Sequence, residues 1–245
     1  MKLSVVVPAR NEEKSVGGTV RGIYETLKKE GIDHEILVVD DHSTDGTGAV
    51  LEALRRSVPT LEPSANGNPA GFGFAVRWGL ERFGGDCVAV MMADASDSPE
   101  DLVRFYRKLG EGYDCVFGSR FMKGGRTLDY PPLKLFVNRV ANNLVRAVFG
   151  IPYNDVTNAF KLYRRQTILG LKPFLAPYFN LTLELPLKAI VRGYSYAVLP
   201  NTWTNRREGA SKLKLKEMGG RYFFIFLYCL IEKFFSKGDY RKRTS

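Results

Sequence analysis

Short apolar runs alternate with longer amphipathic stretches through the first half of the chain. Ser4–Val7 is small and β-branched and ends at Pro8. Ile36–Val39 and Val88–Met92 are similar runs, and Val116 and Phe117 sit in another. Between them the apolar positions take helical spacing. Glu12–Lys29 carries Val16, Val20, Ile23, Tyr24 and Leu27 on one face, and Gly46–Arg56, Phe72–Phe83 and Glu100–Leu109 predict three further helices. Runs without polar alternation predict strands covered on both faces, the signature of a parallel sheet between helix layers. The alternation itself predicts an α/β fold with right-handed crossovers.

The second half is less regular. Leu133–Phe149 and Leu181–Val191 predict helices, Lys161–Arg164 and Tyr196–Leu199 strands, and Lys214–Phe235 a terminal helix followed by a basic tail, Lys237–Ser245. The pattern changes near residue 121, which divides one domain, 1–213, into halves 1–120 and 121–213, with 214–245 as an appendage. The apolar run Tyr222–Ile231 is cut by Glu232 and Lys233. It falls short of the ~18–20 residues that span a bilayer, so it predicts either a core helix or one lying at an interface.

Polar clusters follow the predicted strands: Pro8-Ala9-Arg10-Asn11-Glu12, Asp40-Asp41-His42-Ser43 and Asp94-Ala95-Ser96-Asp97. In open α/β sheets ligands bind at the carboxyl ends of the strands, so these clusters predict one site. A carboxylate after the second strand can accept hydrogen bonds from a base or ribose, and Asp45 suits a helix N-cap; both readings stand. Asp94 and Asp97 could hold a hard divalent cation carried by a nucleotide diphosphate. They could equally belong to the cap of the helix opened by Pro99, with Ser98 or Asp97 as the capping residue.

Composition narrows the choice little. The chain has 245 residues, 44% hydrophobic, which allows a sizeable core, and a formal net charge of +10, which suits phosphorylated substrates, anionic lipid or nucleic acid. The basic residues are dispersed without a nucleic-acid-binding motif, so no nucleic-acid partner is expected. Three cysteines, Cys87, Cys115 and Cys229, have no paired spacing and so predict no disulfide framework or zinc site; Cys87 and Cys115 lie in apolar runs and predict buried thiols. The N-terminal apolar stretch is too short for a signal peptide, which leads to the expectation of a cytoplasmic protein. No Gly-x-Gly-x-x-Gly follows the first strand, which sets a dinucleotide oxidoreductase aside.

Five segments, in order, carry a resemblance: Val5–Glu13, Val38–Thr47, Asn66–Gly73, Phe117–Gly125 and Arg206-Arg207-Glu208-Gly209-Ala210-Ser211-Lys212-Leu213. Together they resemble the family-2 glycosyltransferases of GT-A fold, and within them the dolichyl- or polyprenyl-phosphate mannose (hexose) synthases. The resemblance runs from residue 3 to about residue 213. It implies a mostly parallel central sheet flanked by helices, with a nucleotide-sugar half and an acceptor half. It implies transfer of a hexose from a GDP- or UDP-sugar to a polyprenyl phosphate with inversion, at the cytoplasmic face of a membrane, with a homo-oligomer or membrane-protein partner as a further option.

Carried over by position, the resemblance implies that Pro8, Arg10, Glu12 and Asp41 line the nucleotide. Asp94 would be the second acidic residue of an Asp-x-Asp motif that binds Mg²⁺ or Mn²⁺ and diphosphate. Arg120, Lys134, Arg206 and Lys212 would meet the acceptor phosphate, Asp94 and Arg120 would be the catalytic residues, and Asp155 and Thr157 would shape the acceptor pocket. The chain departs from the pattern at Met92, where the first Asp belongs, and at Ser96, where a metal-binding Gln is often found. A thioether is a poor ligand for a hard cation. Asp97 is therefore expected to serve as the compensating ligand beside Asp94. The departure keeps two alternatives in view, a transferase acting on another glycan acceptor and a catalytically impaired scaffold subunit of envelope glycan assembly.

Overall fold

The computed structural model describes residues 1–205 and 215–242. Its elements are, in order, β1 (Leu3–Ala9), α1 (Val16–Lys29), β2 (His34–Asp40), α2 (Thr47–Leu54), β3 (Leu61–Ala65), α3 (Phe72–Arg82), β4 (Cys87–Val90) and α4 (Pro99–Gly110). Then follow β5 (Cys115–Ser119), β6 (Arg126–Leu128), α5 (Pro132–Phe149), β7 (Lys161–Arg164), α6 (Arg165–Gly170), α7 (Leu181–Val191), β8 (Tyr196–Pro200), β9 (Thr202–Thr204) and α8 (Leu215–Phe235).

Seven strands form one sheet in the order β3-β2-β1-β4-β7-β5-β8, and β6 pairs with β9 in a separate ribbon. All neighbouring pairs in the large sheet are parallel except those made by β7, which runs antiparallel between β4 and β5. The expected mostly parallel sheet is therefore present, and a strand from the second half of the chain lies inside it.

The pleat sorts side chains into two cores, one on each face. Val5, Val7 and Ala9 of β1 point to the face covered by Val16, Val20 and Ile23 of α1 and by Leu102 and Phe105 of α4. Val6 and Val39 point to the other face, against Ala75, Val76 and Leu80 of α3, Leu183 and Leu187 of α7, and Ile225 and Cys229 of α8. Removing each such aliphatic side chain from water contributes roughly 1.5–3 kcal/mol, which is why uninterrupted apolar strands are stable here. All three cysteines are free and buried, as the apolar runs around Cys87 and Cys115 predict for those two.

The structure differs from the expectations at three places. Helix α1 begins at Val16 rather than Glu12, because the Glu12 amide donates to Thr47 Oγ1 at 2.9 Å and the chain turns before the helix starts. Strand β3 carries no clear signal, since it is an edge strand of mixed burial with Pro63 in its middle. An edge tolerates a residue without an N–H. The ribbon β6–β9 is too short to show periodicity.

Helix α8 is tied down by charge as well as packing. Arg192, at the end of α7, donates from Nε and Nη2 to the Glu232 carboxylate at 2.7 and 2.9 Å, and both residues are buried. Opposite faces remain in solvent. Leu133, Phe136, Val137, Val140 and Leu144 of α5 are exposed, as are Phe223, Phe224, Leu227, Ile231, Phe234 and Phe235 of α8. Among the described residues no helix is long and apolar enough to cross a membrane.

Candidate active site

The strand order reverses at β1. Its chain neighbour β2 lies on one side and β4 on the other, so a crevice opens between the carboxyl ends of β1 and β4. Pairing with β4 covers only Leu3–Val6, whereas pairing with β2 continues to Ala9. Pro8 therefore occupies the part of β1 that β4 has already left, where a residue without an N–H costs least.

The loops after β1, β2 and β4 each contain a non-glycine residue with positive φ: Asn11 at 55°, His42 at 60° and Ala95 at 57°. Such residues are uncommon and persist where the surroundings fix the backbone. The first two loops fix one another. The Asn11 amide donates to Ser43 Oγ at 2.9 Å, and the Thr44 amide donates to Asn11 Oδ1 at 2.8 Å. Asp45 Oδ1 accepts from the Thr47 amide at 3.0 Å, a capping bond at the start of α2, although Gly46 holds the N-cap position.

Asp41 is buried and accepts from Asn66 Nδ2 at 2.8 Å and from the Gly71 amide at 2.9 Å. Arg10 reaches towards it, with Nη1 at 3.9 Å, and remains exposed. Glu12 is half-buried and accepts from Ser15 Oγ at 2.7 Å. Asp41 thus fixes the turn that leads into α3. That turn also needs Gly73, since a Cβ there would stand 2.5 Å from the backbone of Pro177. Asn66 is part of this arrangement, and its only sequence signal was its place in the Asn-Gly-Asn-Pro turn.

At the end of β4, Asp94 is half-buried and accepts from the Ser96 amide at 3.2 Å. Asp97 also has a structural task. It is buried and accepts from the Met92 amide at 3.1 Å, which closes the loop back onto the strand end. Burial pushes its carboxyl up to about 7. A buried carboxyl whose charged form is disfavoured by desolvation and which is engaged by an amide is a poor cation ligand. Ser98, not Asp97, caps α4, accepting from the Asp101 amide at 3.3 Å.

After β5 comes Arg120, buried beside Asp155. Its Nε and Nη2 donate to the two Asp155 oxygens at 2.8 and 2.7 Å, and its backbone amide donates to the same carboxylate at 2.9 Å. The Asp155 charge and these bonds outweigh burial and raise the guanidinium's already high pKa further. Three aromatic rings surround it, Phe121 at 5.2 Å, Tyr130 at 5.7 Å and Trp203 at 5.9 Å. Lys134 stands 5.9 Å from the Tyr130 ring. Thr157 accepts from the amides of Asn138 and Asn142 at 2.9 and 3.0 Å, which ties the turn after Asp155 to α5.

The ribbon joins the two ends of the site. Trp203 bridges to Asp97, the Thr204 amide donates to Ser96 O at 3.1 Å, and the Asn205 amide donates to Leu128 O at 3.0 Å. Asn205 directly precedes Arg206. Arg206 and Lys212 themselves lie outside the described residues. Tyr130, Trp203, Asn158 and Asn201 escaped sequence reasoning, because an isolated aromatic or amide carries no spacing signal.

A mostly parallel sheet with its strand-end carboxylates gathered at a topological switch point, and a buried arginine–carboxylate pair beyond the end of β5, fits an α/β fold of the GT-A type. The comparisons with known proteins agree. Residues 4–169 match the Glycosyl transferase family 2 profile. The chain is 31% identical over 216 residues to polyprenol monophosphomannose synthase of Mycolicibacterium smegmatis, covering 85% of this chain and 80% of that protein. It is 27% identical over 219 residues to undecaprenyl-phosphate mannosyltransferase of Micrococcus luteus, covering 87% and 88%. Among solved structures, glucosyl-3-phosphoglycerate synthase from Mycobacterium tuberculosis, in complex with Mn²⁺, UDP-glucose and phosphoglyceric acid, superposes with a TM-score of 0.69 at 20% identity, covering 95% of this chain and 79% of that one. The chain belongs to glycosyl transferase family 2 and is a glycosyltransferase.

Proposed function

We propose that this glycosyltransferase moves a hexose from a nucleotide diphosphate sugar to a polyprenyl phosphate at a membrane surface. The observation that carries the reading is the placement of Arg120, held by Asp155, beside the loop that bears Asp94. In this reading Asp94 would serve the donor side and Arg120, held by Asp155, an anionic acceptor. One relative is named for making polyprenol monophosphomannose and the other for undecaprenyl phosphate, and the alignments cover most of each protein.

The chemistry follows from the acceptor. A phosphate monoester oxygen is already anionic, so the protein needs no strong base. It must align that oxygen with the anomeric carbon and stabilise the departing diphosphate. In-line attack inverts the anomeric centre, so an α-linked donor gives a β-linked product. Pro8, Arg10, Glu12 and Asp41 line the nucleotide end. Arg120, Lys134, Arg206 and Lys212 offset repulsion between two phosphorylated substrates, and Asp155 and Thr157 shape the acceptor end.

The residues present fit a divalent ion that arrives with the diphosphate, and they do not form an all-protein site. No group of three or more His, Cys, Asp or Glu side chains gathers among the described residues. Asp94 would hold Mg²⁺ or Mn²⁺ with the diphosphate oxygens, a ligand set that suits Mg²⁺, and the ion would offset leaving-group charge. Asp97 would support the loop rather than the metal.

The exposed faces of α5 and α8 give the membrane part of the reading. Their ends meet where Lys233 Nζ donates to Phe149 O at 2.6 Å and Phe149 packs edge-on to Phe226 at 5.5 Å. The two helices and the segment after α8 also carry Lys134, Arg146, Lys233, Lys237 and Arg241, and each basic group near an anionic bilayer would contribute about 1 kcal/mol. We place the enzyme peripherally on the cytoplasmic face.

The test is a panel of GDP- and UDP-hexoses incubated with polyprenyl phosphate and Mg²⁺ or Mn²⁺, with mass detection of product. Hexosyl phosphopolyprenol is the expected product. Transfer only to soluble glycans, or no transfer with any donor, would overturn the reading.

A further inference from the structure

Lys161 lies in β7, the strand inserted between β4 and β5, and its side chain is wholly buried. Its Nζ donates to three backbone carbonyls: Val156 at 3.0 Å, Thr182 at 3.2 Å and, through a short contact, Asn158. Val156 and Asn158 flank Thr157 and directly follow Asp155. One amine therefore grips the turn from beneath on both sides and ties it to the first turn of α7.

The upper side of this turn is the acceptor end of the site. Asp155 holds Arg120, Thr157 is held by α5, and Asn158 Nδ2 donates to Gly118 O and to Asn201 Oδ1, both at 3.0 Å. Val156 packs the turn into the apolar core, and the Asn158 amide closes it on Asp155 O at 3.0 Å. Lys161 is the polar support from the core. Burying a lysine is costly, and an apolar residue of similar length would be the easier filler. An apolar residue would also leave three buried carbonyls without this donor.

We propose that Lys161 is a positioning residue for acceptor binding. It fixes the Asp155–Asn158 turn, and through Asp155 it fixes the orientation in which Arg120 meets the acceptor phosphate. This inference rests on the reading of Arg120 given above. It assigns Lys161 no contact with substrate.

Steady-state transfer to polyprenyl phosphate tests it, with KM measured separately for donor and acceptor. Lys161→Met is expected to raise the acceptor KM about tenfold or more and to leave the donor KM within about twofold. Lys161→Arg, which keeps N–H donors, is expected to stay within about threefold of the parent acceptor KM. In an Asp155→Asn background, Lys161→Met is expected to add little, because the route through Asp155 is already cut. If Lys161→Met fails to fold by circular dichroism and size exclusion, Lys161→Gln takes its place and is read the same way. Equal changes in both KM values, or effects of residues 155 and 161 that simply add, would overturn the proposal. An acceptor KM raised in Arg120→Lys but unchanged in Lys161→Met would overturn it alone. An unchanged acceptor KM in Arg120→Lys would overturn the reading of Arg120 and this proposal with it.

Discussion

Asp155 accepts three hydrogen bonds from a single residue, two from the Arg120 guanidinium and one from its backbone amide. Side chain and main chain of Arg120 are thus registered by one carboxylate that is itself fully buried. Asp155→Ala would leave a guanidinium buried without its counter-charge, a loss of about 3–5 kcal/mol. Urea denaturation is expected to show that loss. An Asp155→Ala protein as stable as the parent would mean that Arg120 relaxes into solvent, and the pair would lose its structural meaning.

Asp94 is the reverse case, half-exposed and not embedded in a core. Asp94→Ala is therefore expected to leave the thermal midpoint within a few degrees while transfer falls by about a hundredfold or more, the order of effect seen when charge stabilisation of a leaving group is removed. Turnover near the parent rate would take Asp94 out of the site.

Asp97 supplies a pH signature. Burial lifts its carboxyl from near 4 to about 7, so between these values the folded state holds a proton that the unfolded chain releases. The folded state is therefore favoured at low pH by this group, and the advantage fades as pH rises towards 7. Asparagine keeps an acceptor for the Met92 amide and carries no charge to desolvate. Asp97→Asn is expected to match the parent near pH 4 and to exceed it near pH 7.5 by on the order of 2–4 kcal/mol. Chemical denaturation at the two pH values reads this difference, and an equal difference at both would refute it.

The membrane reading is best tested by point variants. Cutting the chain before α8 would also remove Ile225 and Cys229 from the core and Glu232 from Arg192. Replacing exposed Leu133, Phe136 and Val140 together by Ser leaves these contacts untouched. That variant is expected to lose most of its co-sedimentation with anionic liposomes at low salt while staying folded. Replacement of Phe223 and Phe224 is expected to do the same. If both variants bind like the parent, neither helix face meets the bilayer.

Much of the sheet was legible because burial on both faces writes itself as unbroken apolar runs, as in Val5-Val6-Val7 and Val88–Val90. The strand-end clusters were legible because position after a strand is a topological fact. What stayed hidden depends on partners distant in sequence. Pro63 masks an edge strand whose only pairing among the described residues is with β2. Asp97 looks like a ligand from its spacing to Asp94, and only the folded loop shows its carboxylate turned under to the Met92 amide. The exposed side of α5 reads as ordinary amphipathic spacing, because sequence alone does not say which stripe remains uncovered.

The antiparallel strand β7 has a consequence for synthesis. As the chain leaves the ribosome, residues 1–120 can assemble β1 to β4 and their helices, but β5 has no neighbour in that fragment. Its partners are β7 and β8, which emerge later. Until Lys161–Arg164 arrives, β4 presents an open flank of unpaired amides and carbonyls, and a nascent or truncated product with such a flank is prone to pair with copies of itself. The donor end of the enzyme therefore cannot be cut away as an independent module: its sheet is closed by the same strand whose lysine supports the acceptor end.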